Sequence, residues 1–151
     1  MTRMPSPRTA AASMRVRAFR FDQIALIARP RLPTMDRFAA WVERYLAAWD
    51  SNDPDAIGAL FSENALYFTL PTREPWRGRE TIVREWLDRK DEPGDWWTFK
   101  YEVIARNGDL GIVRGVTEYA TDEGAFVENL WEVTLDDEDR AIRFVEWWIQ
   151  R

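Results

Sequence analysis

From residue 35 onward, apolar and polar positions recur with a helical period. Phe38, Trp41, Val42, Tyr45, Leu46 and Trp49 follow one another at alternating steps of three and one in a stretch that runs through Ser51, which predicts an amphipathic helix with one apolar side. Asp53 followed by Pro54 supplies a cap and a first-turn proline, opening a short second helix with Ile57, Leu60 and Phe61 on one face. ALYFTL, residues 65–70, reads as a short strand. A loop holding Pro71, Pro75 and Gly78 then leads into RETIVREWLDRK, a third helix whose apolar side is Ile82, Val83, Trp86 and Leu87.

The period then changes. WWTFKYEVIAR, LGIVRGVTEYA, FVENLWEVTL and AIRFVEWWI are four β-rich runs separated by the turn signals NGD, TDEG and DDEDR. Helices first and strands afterwards predict an α+β fold, in which three helices of the first half cover one face of a curved sheet completed by a four-stranded antiparallel meander. Residues 1–34 show no such period and end in ARPRLP. They read as a basic extension, either a disordered tail or an overextended start with Met14 or Met35 as the true first residue. The folded domain is expected over residues 35–151.

Composition narrows the chemistry. The 151 residues suit one domain, and no apolar run approaches the ~20 residues needed to cross a membrane. The chain has no Cys and no His, which excludes disulfides, thiolate metal sites, Ser/His/Asp triads and Cys/His pairs. Neither a cofactor nor a metal is expected, because the acidic turn DDEDR lacks the ligand spacing and glycine of a calcium loop. Proton transfer must therefore use Asp, Glu, Tyr, Lys or Arg. Of 21 basic and 26 acidic side chains, seven Arg and only Asp22 fall within residues 1–34, leaving 14 basic and 25 acidic in the rest, a net of −11. So acidic a domain argues against nucleic-acid binding. An organelle transit peptide shares the Arg-rich, acid-poor composition, whereas a secretory signal needs a longer apolar centre than IALIA; a cytoplasmic location is the expectation. Nine Trp call for a core, a pocket or a partner surface.

RYLAAWDSND closing the first helix, DPDAIGALFSENALY, PWRGRETI and the final ENLWEVTLDDEDRAIRFVEWWI together resemble a SnoaL-like domain of the nuclear transport factor 2-like superfamily. The resemblance covers residues 35–150 and implies a cone-shaped α+β barrel with a cavity at its wide end. It also implies a homodimer formed through the outer sheet face. Activity does not follow from it, since the superfamily spans isomerases, cyclases, dehydratases, epoxide hydrolases and binding modules.

In the steroid Δ-isomerases of that superfamily a helix Tyr and a protonated Asp hold an enolate oxygen while a second Asp is the base. The resemblance puts Tyr45 at the tyrosine, Thr69 at the base and Trp131 at the second carboxylate. Threonine is no base near neutral pH and indole is no acid, so that mechanism is disfavoured. With Thr69 and Trp131 inward, strand alternation brings Tyr67, Val127, Asn129 and Val133 to the cavity, and Trp148 brings Phe144 and Glu146. One face of the second β-rich run holds Ile112, Arg114, Val116 and Glu118; if it is the inner one, Arg114 and Glu146 become buried partners. Glu146 is then a candidate general base, Arg114 its electrostatic partner, and Tyr45, Tyr67 and Trp131 hydrogen-bond donors to a ligand oxygen, with Trp76 closing the mouth. Alternatively Arg114 and Glu146 form a structural ion pair, or face a second subunit. Limonene-type epoxide hydrolases offer a partial parallel through Tyr67, Arg114 and Glu146. The expected function is binding, and cofactor-free acid/base conversion, of a small hydrophobic oxygenated molecule of polyketide, steroid or terpenoid type. A non-catalytic ligand-binding or dimeric interaction module is the alternative.

Overall fold

The computed structural model describes residues 36–92, 96–120 and 125–150, together with the backbone of Phe19–Arg20. The expected basic extension and the TDEG turn otherwise lie outside the described residues. In chain order the elements are β1 (Phe19–Arg20), α1 (Arg37–Ser51), α2 (Pro54–Ala59), β2 (Phe61–Phe68), β3 (Trp76–Arg77), α3 (Arg79–Asp88), β4 (Trp97–Asn107), β5 (Leu110–Tyr119), β6 (Ala125–Leu135) and β7 (Ala141–Gln150).

Helix α1 starts where Asp36 accepts a hydrogen bond from the Ala39 N–H and ends at Asn52, whose left-handed backbone (φ 50°) returns its N–H to the Ala48 carbonyl. Its apolar side buries Phe38, Trp41, Val42, Tyr45 and Leu46. Asp53 caps α2 through the Asp55 N–H, with Pro54 in the first turn. Leu60 and Phe61 fall outside this helix: the chain turns extended at Phe61, so β2 begins four residues before the ALYFTL run. Trp41 explains the early switch, because its indole N–H donates to the Leu60 carbonyl at 3.0 Å while Phe61 packs edge-on against its ring.

The strands form one sheet in the order β1-β4-β5-β6-β7-β2-β3. β4 to β7 are the expected antiparallel meander. β2 adds to β7 in parallel, and β3 and β1 are two-residue edge strands, so the sheet is mixed. Its concave face wraps α1. At the narrow end Arg37 ties the helix start to both hairpin turns, donating to Asp109 at 3.0 Å, to Asp139 at 2.8 Å and to the Asp136 carbonyl at 2.7 Å. The wide end is left to the last turns of α1, the end of α3 and the opposite ends of the strands.

The phase of β5 corrects the expectation from sequence. Gly111, Val113, Gly115 and Thr117 are inward and buried, whereas Arg114 and Glu118 are exposed and Ile112 and Val116 lie on their side. Glycine decides this phase. A Cβ at Gly111 would lie 2.4 Å from the Phe38 ring, and one at Gly115 would lie 2.3 Å from the Phe99 ring, so only bare backbone leaves these aromatics room on the concave side.

Candidate functional site

The wide end encloses a cavity of about 370 Å³. Tyr45 and Trp49 reach it from α1 and Trp86 from α3, and Tyr67 and Trp76 come from β2 and β3. The sheet supplies Thr117, Tyr119, Val127, Asn129, Trp131, Glu146, Trp148 and Gln150, while Arg89, Lys90 and Asp91 form part of the rim. The aromatic walls are packed together. Tyr45 lies 4.9 Å from Trp86, 4.7 Å from Trp131 and 5.5 Å from Phe144, measured between ring centroids. Trp76 stacks on Tyr67 at 4.8 Å, and Trp49 on Trp97 at 3.9 Å. Asn52, the C-cap of α1, accepts the Trp86 indole N–H at 3.0 Å, so the helix end fixes one wall.

Glu146 is the carboxylate set among the cavity's aromatic rings. Its Oε1 accepts the Asn129 amide at 3.2 Å and, more weakly, the Trp131 indole N–H at 3.4 Å. Thr117, fully buried, donates to Asn129 Oδ1 at 2.8 Å; this turns the amide nitrogen toward Glu146. Burial pushes the Glu146 carboxyl up to about 7, against the opposing pull of the Trp131 and Asn129 hydrogen bonds. The residue as a whole keeps partial solvent contact; the raised value reflects where its carboxyl sits, among rings. At neutral pH such a group both accepts and gives protons.

Tyr45 and Tyr67 share a buried hydrogen bond of 2.8 Å between their hydroxyls. Burial, reinforced by the neighbouring phenol and by Glu146, holds Tyr45 well above the usual phenol range, and burial with Glu146 does the same for Tyr67. Both stay protonated, so one hydroxyl donates within the pair and the other proton can be offered to a ligand oxygen. Tyr119 is pushed up to about 12 by burial and by the charges of Asp91 and Glu146.

Several expected site residues fall elsewhere. Arg114 faces outward and pairs with Glu102 on the adjacent strand at 3.1 Å; the buried Arg114–Glu146 pair does not form. Glu118 and Ile112 leave the cavity with it, for the glycine reason given above. Thr69 sits half-buried beyond the end of β2, outside the lining. Trp131 is inward, but its N–H is directed to Glu146 rather than to a ligand oxygen. Tyr45, Tyr67, Trp76, Asn129, Trp148 and Glu146 do converge. Thr117 and Tyr119 were not anticipated from sequence, and the signal for them was the Gly111/Gly115 spacing, which marks their shared face. Among the described residues no group of three or more Asp and Glu side chains is placed to hold a metal ion.

A family model described as SnoaL-like domain matches residues 42–147. Among solved structures the chain is similar to an NTF2-like protein of unknown function from Mesorhizobium loti, with 22% identity and a TM-score of 0.55 over 75% of this chain and 91% of that one. It is also similar to a ketosteroid isomerase-like protein from Erwinia carotovora atroseptica, with 18% identity and a TM-score of 0.53 over 74% and 93%. A third is the epoxide hydrolase/cyclase-like enzyme SalBIII of pyran ring formation in the polyether salinomycin, with 18% identity and a TM-score of 0.58 over 75% and 90%. At such identities these likenesses establish the fold alone. No curated protein matches the sequence.

Proposed function

The chain belongs to the SnoaL-like domain family of the NTF2-like superfamily, and from that premise we propose that its wide-end cavity binds a small hydrophobic molecule and converts it by cofactor-free proton transfer. One observation carries the reading: a carboxylate whose proton affinity is raised to about 7 stands inside aromatic walls, beside a protonated tyrosine pair. In this role Glu146 takes a proton from the bound molecule and returns it at a second position, and the free hydroxyl of the Tyr45–Tyr67 pair donates to the oxygen on which charge develops. Asn129 and Trp131 hold the carboxylate, with Thr117 behind Asn129. Trp76 and Trp148 complete the lining. Arg114, the counterpart of the epoxide hydrolase arginine, lies on the outer face, which disfavours that mechanism.

The test is a thermal-shift screen of polycyclic and terpenoid ketones, alcohols and epoxides, followed by product analysis with wild type and Glu146→Gln. Compounds that raise the melting temperature should be turned over by wild type, and Glu146→Gln should lose about 100-fold or more in rate on those it still binds. If no compound shifts the melting temperature and the substitution alters only stability, the reading fails. A homodimer through the outer sheet face belongs to the same proposal, supported by Trp147 and Ile149, which are 45% and 67% exposed there.

A further inference from the structure

The charges around the cavity carry information about its ligand. Among the described residues, the two groups that bond the Glu146 carboxylate, Asn129 and Trp131, are both neutral, although a carboxylate set among rings is stabilised far more by a cation. Both bonds end on Oε1, leaving Oε2 for a ligand. A second carboxylate, Asp91, stands at the rim, held by the Trp49 indole N–H at 2.9 Å. Burial and both negative charges raise the Tyr119 phenol, so the wall beside Tyr119 is negative. The walls add to it, since the face of an indole or phenol ring is itself electronegative and attracts cations. The protein already uses one of these faces in that way: the Arg89 guanidinium lies over the Trp76 ring, 5.1 Å from its centroid.

The two rim cations do not reverse this. Arg89 is engaged by Glu85 and by Trp76, and among the described residues no ion pair joins Arg89 or Lys90 to Glu146. An anionic group entering the cavity would meet the Glu146 charge, a neutral one leaves the carboxyl to its protonated form, and a cation supplies the counterion that the ionised form lacks.

We propose that the ligand of this cavity is a hydrophobic amine bound as its ammonium ion, with the positive centre against Glu146 and within the surrounding aromatic faces. The inference rests on the reading of the cavity as a small-molecule site. It assigns the charge of the molecule that the site takes. Ammonium and carboxylate then neutralise each other among the rings, and the Tyr45–Tyr67 hydroxyl remains free for an oxygen elsewhere on the same molecule.

The probes are 1-adamantylamine and 1-adamantanol, which have the same shape and differ in charge, titrated into the full-length protein by calorimetry between pH 5.5 and 8.5. An alkylamine, like a lysine side chain, stays protonated to about pH 10. The facing groups are Tyr45, Tyr67 and Tyr119, which stay protonated throughout, and the charged rim residues Arg89, Lys90 and Asp91. At pH 8 the amine should bind about tenfold or more tighter than the alcohol. Below pH 7 that preference should shrink by up to about tenfold per pH unit, as protonation of Glu146 competes with the cation. Glu146→Gln should abolish the preference, bringing the amine to within about twofold of the alcohol. The pH series on wild type gives the same answer independently of how that variant folds. An alcohol that binds as tightly as the amine at pH 8, or an amine preference that is unchanged between pH 8 and pH 5.5 or that survives in Glu146→Gln, overturns the inference while leaving the cavity a small-molecule site. Binding of neither probe at millimolar concentration overturns it as well.

Discussion

Glu146 is where a single side chain sets the behaviour of the protein. In the unfolded chain its carboxyl has an ordinary value near 4.5, and in the fold burial raises it to about 7. The protonated form is therefore the one the fold favours: this contribution to stability is fully present below about pH 4.5 and is lost as pH rises through about 7. Allowing for the partial solvent contact of the residue, ionising it in place costs about 1–3 kcal/mol. Glu146→Gln removes that cost and keeps an amide oxygen to accept from Asn129 and Trp131. Urea unfolding should show the variant more stable than wild type by about 1–3 kcal/mol at pH 8 and within about 0.5 kcal/mol of it at pH 4.5. Equal stability at pH 8 would show that the carboxyl is not held in a desolvating site. A variant that is more stable and less active would place this residue among those kept for chemistry at the expense of the fold.

At the level of elements, β5 holds the clearest link from sequence to site. Its phase puts Thr117 and Tyr119 in the cavity and Arg114 outside, and that phase is set by two glycines. Gly115→Ala would push a methyl to 2.3 Å from the Phe99 ring, itself fully buried and stacked on Trp131 at 4.8 Å. With the ring fully buried and stacked on Tyr101 and Trp131, the substitution should cost about 1–3 kcal/mol in urea unfolding, whereas Val116→Ala, on the outer face, should cost less. A neutral Gly115→Ala would refute the proposed phase. Other elements were easier to read from sequence. Helix α1 was legible because six apolar residues keep one period, and β6 and β7 because Trp131, Asn129 and Glu146 alternate with Glu128, Glu132 and Trp147. The second β-rich run defeated the same rule, since Ile112, Val116 and their charged neighbours look as regular as the true inner face, which carries two residues with no side chain. The early start of β2 was hidden too, because Phe61 fits a helix face as well as a strand and only the tertiary contact with Trp41 separates the two. No local pattern announces that β2 pairs in parallel with β7, some 80 residues away.

Across the whole molecule the cone divides its labour between two ends and two faces. The narrow end is closed by the Arg37 contacts to both hairpin turns and by the Arg106–Asp36 pair at 2.9 Å, so the aromatic wide end can stay hollow without the strands drifting apart. The sheet separates ligand from partner in the same way. On β7, Glu146 and Trp148 look into the cavity while Trp147 and Ile149 look out, and Trp147 is tethered by its N–H to Glu132 at 2.8 Å. The cross-strand rows Arg114–Leu130–Trp147 and Val116–Glu128–Ile149 mix apolar with charged side chains, as expected of a surface able to meet a second copy of itself. Light scattering at micromolar concentration should accordingly give the mass of a dimer, and Ile149→Lys should give a monomer, because two added charges would face each other across a two-fold axis. The substitution is on the opposite side of the strand from Glu146, so cavity ligands should bind the monomeric variant within about twofold of wild type. A wild type that is monomeric at these concentrations would dismiss the dimer, and a monomer that also loses ligand binding would show that the second copy shapes the cavity as well as covering the sheet.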